Sequence, residues 1–396
     1  MKALLLENIH PEAVRVLTER GFDVETREGA LGETDLIEAL EGVDVLGIRS
    51  ATQVTDAVIE ARGESLQAIG AFCIGTNQVR LDTAAASGVP VFNAPFSNTR
   101  SVVELAMGEI IVLARRLGEK NAMMHAGVWD KSAAGAHEVR GRTLGIVGYG
   151  NIGAQLSIVA ESFGMRVIYY DVVDKLALGN ARRCETLEEL LAEAECVSLH
   201  VDGRSSNKGL FGEEEFAQMR KRALFLNLCR GMVVDHEALV RHLQSGHLAG
   251  AAIDVFAKEP KTTGDPFVSP LQHLPNVILT PHIGGSTQEA QEDIGRFVAG
   301  KLADYVTSGS TIMSVNVPQV QAGTREGVRV LHVHHNVPGV LARLNQVFAN
   351  HGANITFQTL STRGNLGYVI TDVADYATGL RSELAALPET VRVKVF

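Results

Sequence analysis

Leu144-Gly145-Ile146-Val147-Gly148-Tyr149-Gly150-Asn151-Ile152-Gly153 carries a short apolar strand into Gly-x-Gly-x-x-Gly and then into a helical pattern. That order suits a dinucleotide pyrophosphate. Gly148 permits a tight turn and Gly150 admits close backbone approach to the phosphates. Gly153 lets the helix pack near the strand, with its N-terminal N–H groups aimed at the anion. Working outward, Gly164 ends the helix, Arg166–Tyr170 reads as the next strand, and Asp171 closes it. An acid in that place suits the ribose hydroxyls of NAD and repels the 2′-phosphate of NADP. Val172 and Val173 supply no compensating cation. The alternative is a Gly-rich turn that merely joins strand to helix; two strands, a helix and an acid in register favour the dinucleotide.

The chain has 396 residues, which predicts two or three domains. Its residues are 45% hydrophobic, with no apolar run long enough to span a bilayer. Met1–Leu6 is too short for a signal segment and ends at Glu7, so a cytoplasmic protein is expected. Cys73, Cys184, Cys196 and Cys229 form no Cys-x-x-Cys pair, so neither a disulfide framework nor a zinc site is expected, and the thiols read as buried and free. The net charge of −10 and the lack of a basic block argue against nucleic acid. An anionic substrate stays compatible, because a few local arginines override the global field.

The organisation is α/β. Residues 1–97 alternate helical patterns with strands at Ala3–Leu6, Asp44–Ile48, Leu66–Phe72 and Val89–Phe92. Thr99–Ala126 reads as one long helix. A nucleotide domain at 98–284 continues with strands at Cys196–Val201, Ala223–Leu228, Ala251–Val255 and Val277–Leu279. These are apolar on both faces, as parallel strands covered by helices are. A helix over Thr287–Thr307 returns to the first domain, which is therefore discontinuous, 1–97 with 285–318. Residues 319–327 read as a linker. The final unit, 328–396, has strands at Val328–His335, Ile355–Ser361, Leu366–Val373 and Val391–Phe396, with helices at Pro338–Asn350 and Tyr376–Ala386. That βαββαβ order is ferredoxin-like, with a hairpin turn at Gly364-Asn365.

Three segments follow strands of the nucleotide domain: Asn227-Leu228-Cys229-Arg230-Gly231, Asp254 to Pro260, and Pro281-His282-Ile283-Gly284-Gly285. Ligands of doubly wound sheets bind beyond the carboxyl ends of strands. Oxidation of a 2-hydroxy acid delivers a hydride to NAD and a proton to a base near neutral pKa, and His282 fits that base. Glu259 would orient its ring. Arg230 would hold the substrate carboxylate with a planar fork that lysine lacks. Taken singly, His282 also reads as a loop histidine, Arg230 as a surface residue and Glu259 as a turn acid. Their shared place at strand ends favours the joint reading.

The glycine fingerprint, Asn-x-x-Arg-Gly-x-x-Val-Asp at 227–235 and Pro-His-Ile-Gly-Gly at 281–285 resemble the D-2-hydroxyacid dehydrogenase family. Phe72–Gln78, Asn93–Ser101, Ala251–Phe256 and Thr280–Ala290 extend the resemblance over the whole chain, towards the shorter bacterial members that act on 3-phospho-D-glycerate and end in an ACT domain. The implied architecture is a Rossmann-type doubly wound nucleotide domain, a discontinuous flavodoxin-like substrate domain and a ferredoxin-like ACT domain. The resemblance implies Arg230, Glu259 and His282 as catalytic. It implies cofactor contacts from Gly148, Gly150, Asn151, Ile152, Gly153, Asp171, Leu228, Cys229, Arg230, Asp254, His282, Gly284 and Gly285. It places Arg49, Asn98, Arg230, His282 and Lys131 on the substrate side, with Trp129 and Lys131 reaching towards a neighbouring subunit of a homotetramer. Where relatives often read Arg-Ser-Arg-Thr, this chain reads Arg49-Ser50-Ala51-Thr52, one cation fewer. The same-class rivals are other 2-hydroxy acids, with 2-oxoglutarate reduction as a side activity. The different-class rival is a dinucleotide-sensing binding protein.

In the final unit, Asn336 is expected at a helix N-terminus, where its amide and the backbone N–H groups suit a zwitterionic amino acid. Asn354 offers a second amide. The alternative is that Asn336 only caps the helix and the histidines are exposed strand residues. The resemblance implies that His334, Asn336 and Asn354 bind L-serine between paired subunits. His332 and His334 share a strand face and His335 points away. No neighbouring cysteine or carboxylate completes a metal site, so none is expected.

Overall fold

The computed structural model of the chain describes residues 1–260, 264–375 and 377–396. It divides into two compact units, Met1–Ser97 with Gln291–Phe396, and Asn98–Ala290. The first begins with strands β1 (Lys2–Leu5), β2 (Asp23–Thr26), β3 (Val45–Ile48), β4 (Ala68–Ala71) and β5 (Val91–Asn93). Between them run helices α1 (Pro11–Glu19), α2 (Glu33–Ala39), α3 (Asp56–Arg62) and α4 (Leu81–Ala86). Every pairing is parallel and the order is β2-β1-β3-β4-β5, the flavodoxin-like winding. Strand alternation splits the core. Leu4, Leu46, Ile69 and Val91 pack on Leu36, Val58 and Ile59, while Ala3, Leu5, Val45, Ala68 and Phe92 face the other side. The sequence reading omitted β2, whose Asp-Val-Glu-Thr is a polar edge strand with no fully buried residue.

The second unit opens with a helix that the sequence reading ran too far. Thr99–Ala126 is two helices, α5 (Thr99–Ala114) and α6 (Leu117–His125). They break at Arg115-Arg116, where Arg116 takes φ +51°. Then follow β6 (Thr143–Val147), α7 (Asn151–Ser162), β7 (Arg166–Tyr170), β8 (Arg182–Arg183), α8 (Leu187–Glu193), β9 (Cys196–Leu199), α9 (Glu213–Gln218), β10 (Ala223–Asn227), α10 (His236–Gln244), β11 (Leu248–Ile253) and β12 (Val277–Leu279). The seven strands run parallel in the order β12-β11-β10-β9-β6-β7-β8. This is a Rossmann-type doubly wound sheet. All strands point one way, so Gly148, Asp171, His200, Leu228, Asp254 and Thr280 stand on one edge.

Helix α11 (Gln288–Ser308) carries the chain back. Ile294, Val298, Leu302 and Val306 cover the face of the first sheet formed by Ala3, Leu5, Val45 and Phe92. The terminal domain holds β13 (Val328–His335), α12 (Val340–Asn350), β14 (Ile355–Arg363), β15 (Leu366–Val373), α13 (Leu380–Ala385) and β16 (Thr390–Val395). Its antiparallel sheet has the order β14-β15-β13-β16, the ferredoxin-like arrangement. Tyr376, the expected first residue of the last helix, lies outside the described residues. Pro338 stands ahead of α12 rather than in its first turn, because Gly339 at φ +85° is the cap and Val340 opens the helix. Arg392 of β16 donates to the carbonyls of Gly63, Glu64, Leu66 and Gly88. No helix among the described residues is long and apolar enough to cross a membrane.

Arg329 and Asp372 form a fully buried pair, with bonds of 2.7 and 2.6 Å, and Arg329 also donates to the carbonyl of Ser308 at 3.1 Å. Removing one partner of such a pair leaves the other charge buried and unmatched. Arg329→Met is therefore expected to cost about 3–5 kcal/mol, read as a lower urea midpoint. An unchanged midpoint would refute this account of the pair.

Candidate active site

The nucleotide turn is built as its sequence requires. Gly148 sits at φ +92°, and a Cβ there would fall 2.6 Å from the carbonyl oxygen of His200. At Gly150 no atom lies within 4 Å of the place a Cβ would take, so the backbone is open to a phosphate. The first N–H groups of α7, from Asn151 to Gly153, have no carbonyl of a preceding turn to bond. Asp171 closes on the turn: its Oδ2 accepts from the N–H of Tyr149 at 2.8 Å and its Oδ1 from that of Val173 at 2.9 Å. The open glycine, the free helix start and the acid at the end of β7 fit a dinucleotide without a 2′-phosphate.

Asp254, just past β11 and 1% exposed, is the hub of the opposite rim. Its Oδ1 accepts from the Thr280 hydroxyl at 2.6 Å and the Ile283 N–H at 2.8 Å. Its Oδ2 accepts from the Gly284 N–H at 2.8 Å. The N–H of His282 donates to the Asp254 carbonyl at 2.8 Å. His282 itself takes φ +54°, a left-handed conformation rare for a residue with a side chain. Asp254 thus holds the strained position through the Thr280 side chain before it and the backbone of His282, Ile283 and Gly284.

His282 Nδ1 meets Glu259 Oε2 at 2.8 Å, and the N–H of Phe256 donates to Glu259 Oε1 at 3.0 Å. The bond to Glu259 raises the His282 pKa; burial opposes it, the charges of Glu259 and Asp254 support it, and Arg230 works against it. Burial pushes Glu259 upward, but its bonds from His282 and Phe256 and the charges of His282 and Arg230 hold it below the ordinary value. Arg230 is thus electrostatically part of the group. Its loop is set by Gly231, whose backbone touches Phe256 so closely that a Cβ would lie 2.0 Å from that carbonyl carbon. Asn227 Nδ2 donates to the Arg230 carbonyl at 3.1 Å. Leu228 and Cys229 are buried, and burial pushes the Cys229 thiol up to about 11, an inert thiol.

The other sequence candidates are distributed. Arg49 lies in the first unit, where the N–H groups of Arg49, Ala51 and Thr52 converge on the Glu7 carboxylate at 3.2, 2.9 and 2.9 Å. The Arg49 guanidinium has no hydrogen bond or ion pair among the described residues. Asn98 is in the second unit, its amide against Gly285 and its Oδ1 buried without a partner among the described residues. Trp129 is 75% exposed and Lys131 is exposed. Glu109, missed by the sequence reading, is buried on α5 near Asp254. Its signal was spacing: it shares a helical face with Val102, Ala106 and Leu113.

In the terminal domain His332 and His334 are buried, not exposed, while His335 is exposed. Thr390 spends its hydroxyl proton on the Leu384 carbonyl, so it accepts from His332 Nε2 at 2.7 Å. His332 Nδ1 then accepts from His334 Nδ1 at 3.3 Å. Burial lowers the pKa of both rings, that of His332 to about 3. Asn336 does not sit at the helix N-terminus. It precedes the Gly339 cap, and its backbone and side-chain N–H groups face Asn365 and Gly364. Asn354 borders the start of β14, which pairs with the far end of β15. Asn336 and Asn354 are therefore separated by the length of β13, roughly 25 Å at the usual rise.

Residues 107–284 match the family model of the D-isomer specific 2-hydroxyacid dehydrogenase NAD binding domain. Residues 330–392 match that of the AHAS small subunit-like ACT domain. The whole chain is 50% identical, over 399 residues and 97% of the relative, to the D-3-phosphoglycerate dehydrogenase of Escherichia coli. It is 50% identical over 398 residues to that of Haemophilus influenzae, again covering 97% of it. The crystal structure of the TT0316 protein from Thermus thermophilus aligns with a TM-score of 0.70 at 32% identity, over 77% of this chain and 97% of that one. D-2-hydroxyisocaproate dehydrogenase aligns at 0.72 and 24% identity, over 80% and 100%, and attests the fold.

The pair Glu259–His282 has a signed pH signature. Glu259's contribution to stability is present above its ordinary pKa of 4.5 and lost as pH falls through its lowered value. That of His282 is full below 6.5 and lost as pH rises through its raised value. Glu259→Gln is expected to move the His282 ionisation midpoint downward, followed by NMR of the ring protons. A midpoint that stays in place would mean the carboxylate does not tune the ring.

Proposed function

The chain belongs to the D-isomer specific 2-hydroxyacid dehydrogenases, in the branch of the D-3-phosphoglycerate dehydrogenases, and from this premise we propose that it oxidises 3-phospho-D-glycerate to 3-phosphooxypyruvate. It is an NAD-dependent oxidoreductase; NAD, when bound, supplies the hydride acceptor. The observation that carries the proposal is the His282–Glu259 bond at the rim of the nucleotide sheet. With Nδ1 committed to Glu259, Nε2 is the nitrogen left to take the proton of the C2 hydroxyl. Glu259 steadies the imidazolium that forms. Arg230 holds the substrate carboxylate and polarises the C2 oxygen, and the uncommitted Arg49 guanidinium and Lys131 serve the phosphate side. Asn98 completes the substrate contacts. Asp171 binds the ribose, and Asp254 and the Gly284-Gly285 turn line the nicotinamide side.

The same reading makes L-serine the feedback inhibitor, held by His334 and Asn336 of one chain and Asn354 of another, because one chain keeps the two amides apart. That arrangement requires paired chains and accords with a homotetramer in the cytoplasm, in the first step of serine biosynthesis. Such control requires serine to bind two conformations with different affinity. Reduction of 2-oxoglutarate, another acid with a second anion, is the proposed side activity. Ala51, one cation fewer at the phosphate side, is the observation that keeps other 2-hydroxy acids in the assay.

Initial-rate NADH formation from 3-phospho-D-glycerate tests the proposal, with turnover expected and its suppression by L-serine. No turnover with this acid alongside turnover of another would reassign the substrate. His282→Asn is expected to lower kcat by about 10²–10⁴; a smaller loss would remove His282 as the base. Asn336→Ala should abolish suppression by serine, and persistence of full suppression would displace the effector site.

A further inference from the structure

Glu109 is 4% exposed on α5, and neither of its carboxyl oxygens has a hydrogen-bond partner among the described residues. Its helical face, with Val102, Ala106 and Leu113, is apolar and belongs to one core with Leu224, Leu226 and Ala252 of the sheet. The side chains of Val102 and Leu105 reach the backbone of Gly284. Asp254, the charged group whose field reaches Glu109, already holds Thr280, Ile283 and Gly284. A buried acid without a donor either keeps its proton or places a second negative charge beside the first in a low-dielectric space.

We propose that Glu109 is a positioning residue for the His282 turn, an uncharged carboxylic acid beside Asp254 that leaves Asp254 as the one anion anchoring the N–H groups of Ile283 and Gly284. The charge state is consistent with its surroundings, for burial pushes its pKa up to about 8 and the charge of Asp254 adds to the shift. His282 feels Asp254 in turn, so ionisation of Glu109 loads the turn with a second charge and disturbs the ring. This inference rests on the reading of His282 as the proton acceptor.

Because the folded pKa lies above the unfolded value of 4.5, Glu109 favours the fold fully below that value, and its contribution is lost as pH rises through about 8. Glu109→Gln keeps the shape and removes the titration. The thermal midpoint of the apo E109Q protein should gain on wild type as pH rises from about 5 to about 8 and then hold level. The infrared carbonyl band of a protonated carboxyl should be present in wild type at neutral pH and absent in E109Q. In the 3-phospho-D-glycerate assay, the ratio of E109Q to wild-type kcat should rise severalfold across the alkaline range. A pH-independent midpoint difference, no carboxyl band, or parallel kcat profiles would overturn the proposal. Glu109→Leu, which suits the apolar helix face, supplies the infrared comparison if E109Q does not fold. Failure of the reaction assignment itself would appear as no wild-type turnover, and the melting and infrared measurements would still decide the state of Glu109.

Discussion

The carboxylate of Asp254 is the constraint on which the rest of the site depends. Holding a residue such as His282 in the left-handed region costs on the order of 1–3 kcal/mol. The offset comes from Asp254, which accepts from three backbone N–H groups, of His282, Ile283 and Gly284, and from the Thr280 hydroxyl. Once the turn is fixed, the ring of His282 has a single bond to make, and Glu259 makes it. The loop that carries Glu259 is fixed in turn by the contact of Gly231 with Phe256, which also sets Arg230. Parallel strands place all these residues on one edge, so a few backbone bonds suffice to assemble the group.

Much of this was legible in the sequence, for physical reasons that differ by region. The strands β6, β13 and β15 read well because they are largely buried apolar runs with glycine close to one end. The break at Arg115-Arg116 was not legible, since both residues are good helix formers and arginine does not favour the left-handed conformation that Arg116 takes. The edge strands β2 and β8 were missed because their residues are polar and exposed, and only the neighbouring strand defines them. Asp254 was read from resemblance as a cofactor contact. Its use as a backbone clamp depends on the loop 280–284 folding back upon it, a long-range event that no local pattern reports. Glu109 was hidden for the opposite reason, as a charged letter in an apolar helix that reads as solvated until the helix is seen packed.

The terminal domain shows how alternation both informs and misleads. The placing of His332 and His334 on one face follows from the strand period. Their burial follows from the covering helices and the 2.7 Å bond to Thr390, which local sequence does not contain. The shift of the helix start to Val340 moves Asn336 into the turn facing Gly364 and Asn365, so its amide is presented from a loop and not from a helix end.

The first unit is assembled from both ends of the chain, and this has a consequence for its birth. Ala3, Leu5, Val45 and Phe92 emerge from the ribosome with their face only partly covered, by Ala13 and Leu17 of α1, because α11 is made later. The delay is about 190 residues of synthesis, on the order of ten to forty seconds at typical elongation rates. The nucleotide domain contains all of its own strands and closes within that interval. During translation the five-stranded sheet therefore exposes the apolar face that Ile294, Val298 and Leu302 later cover.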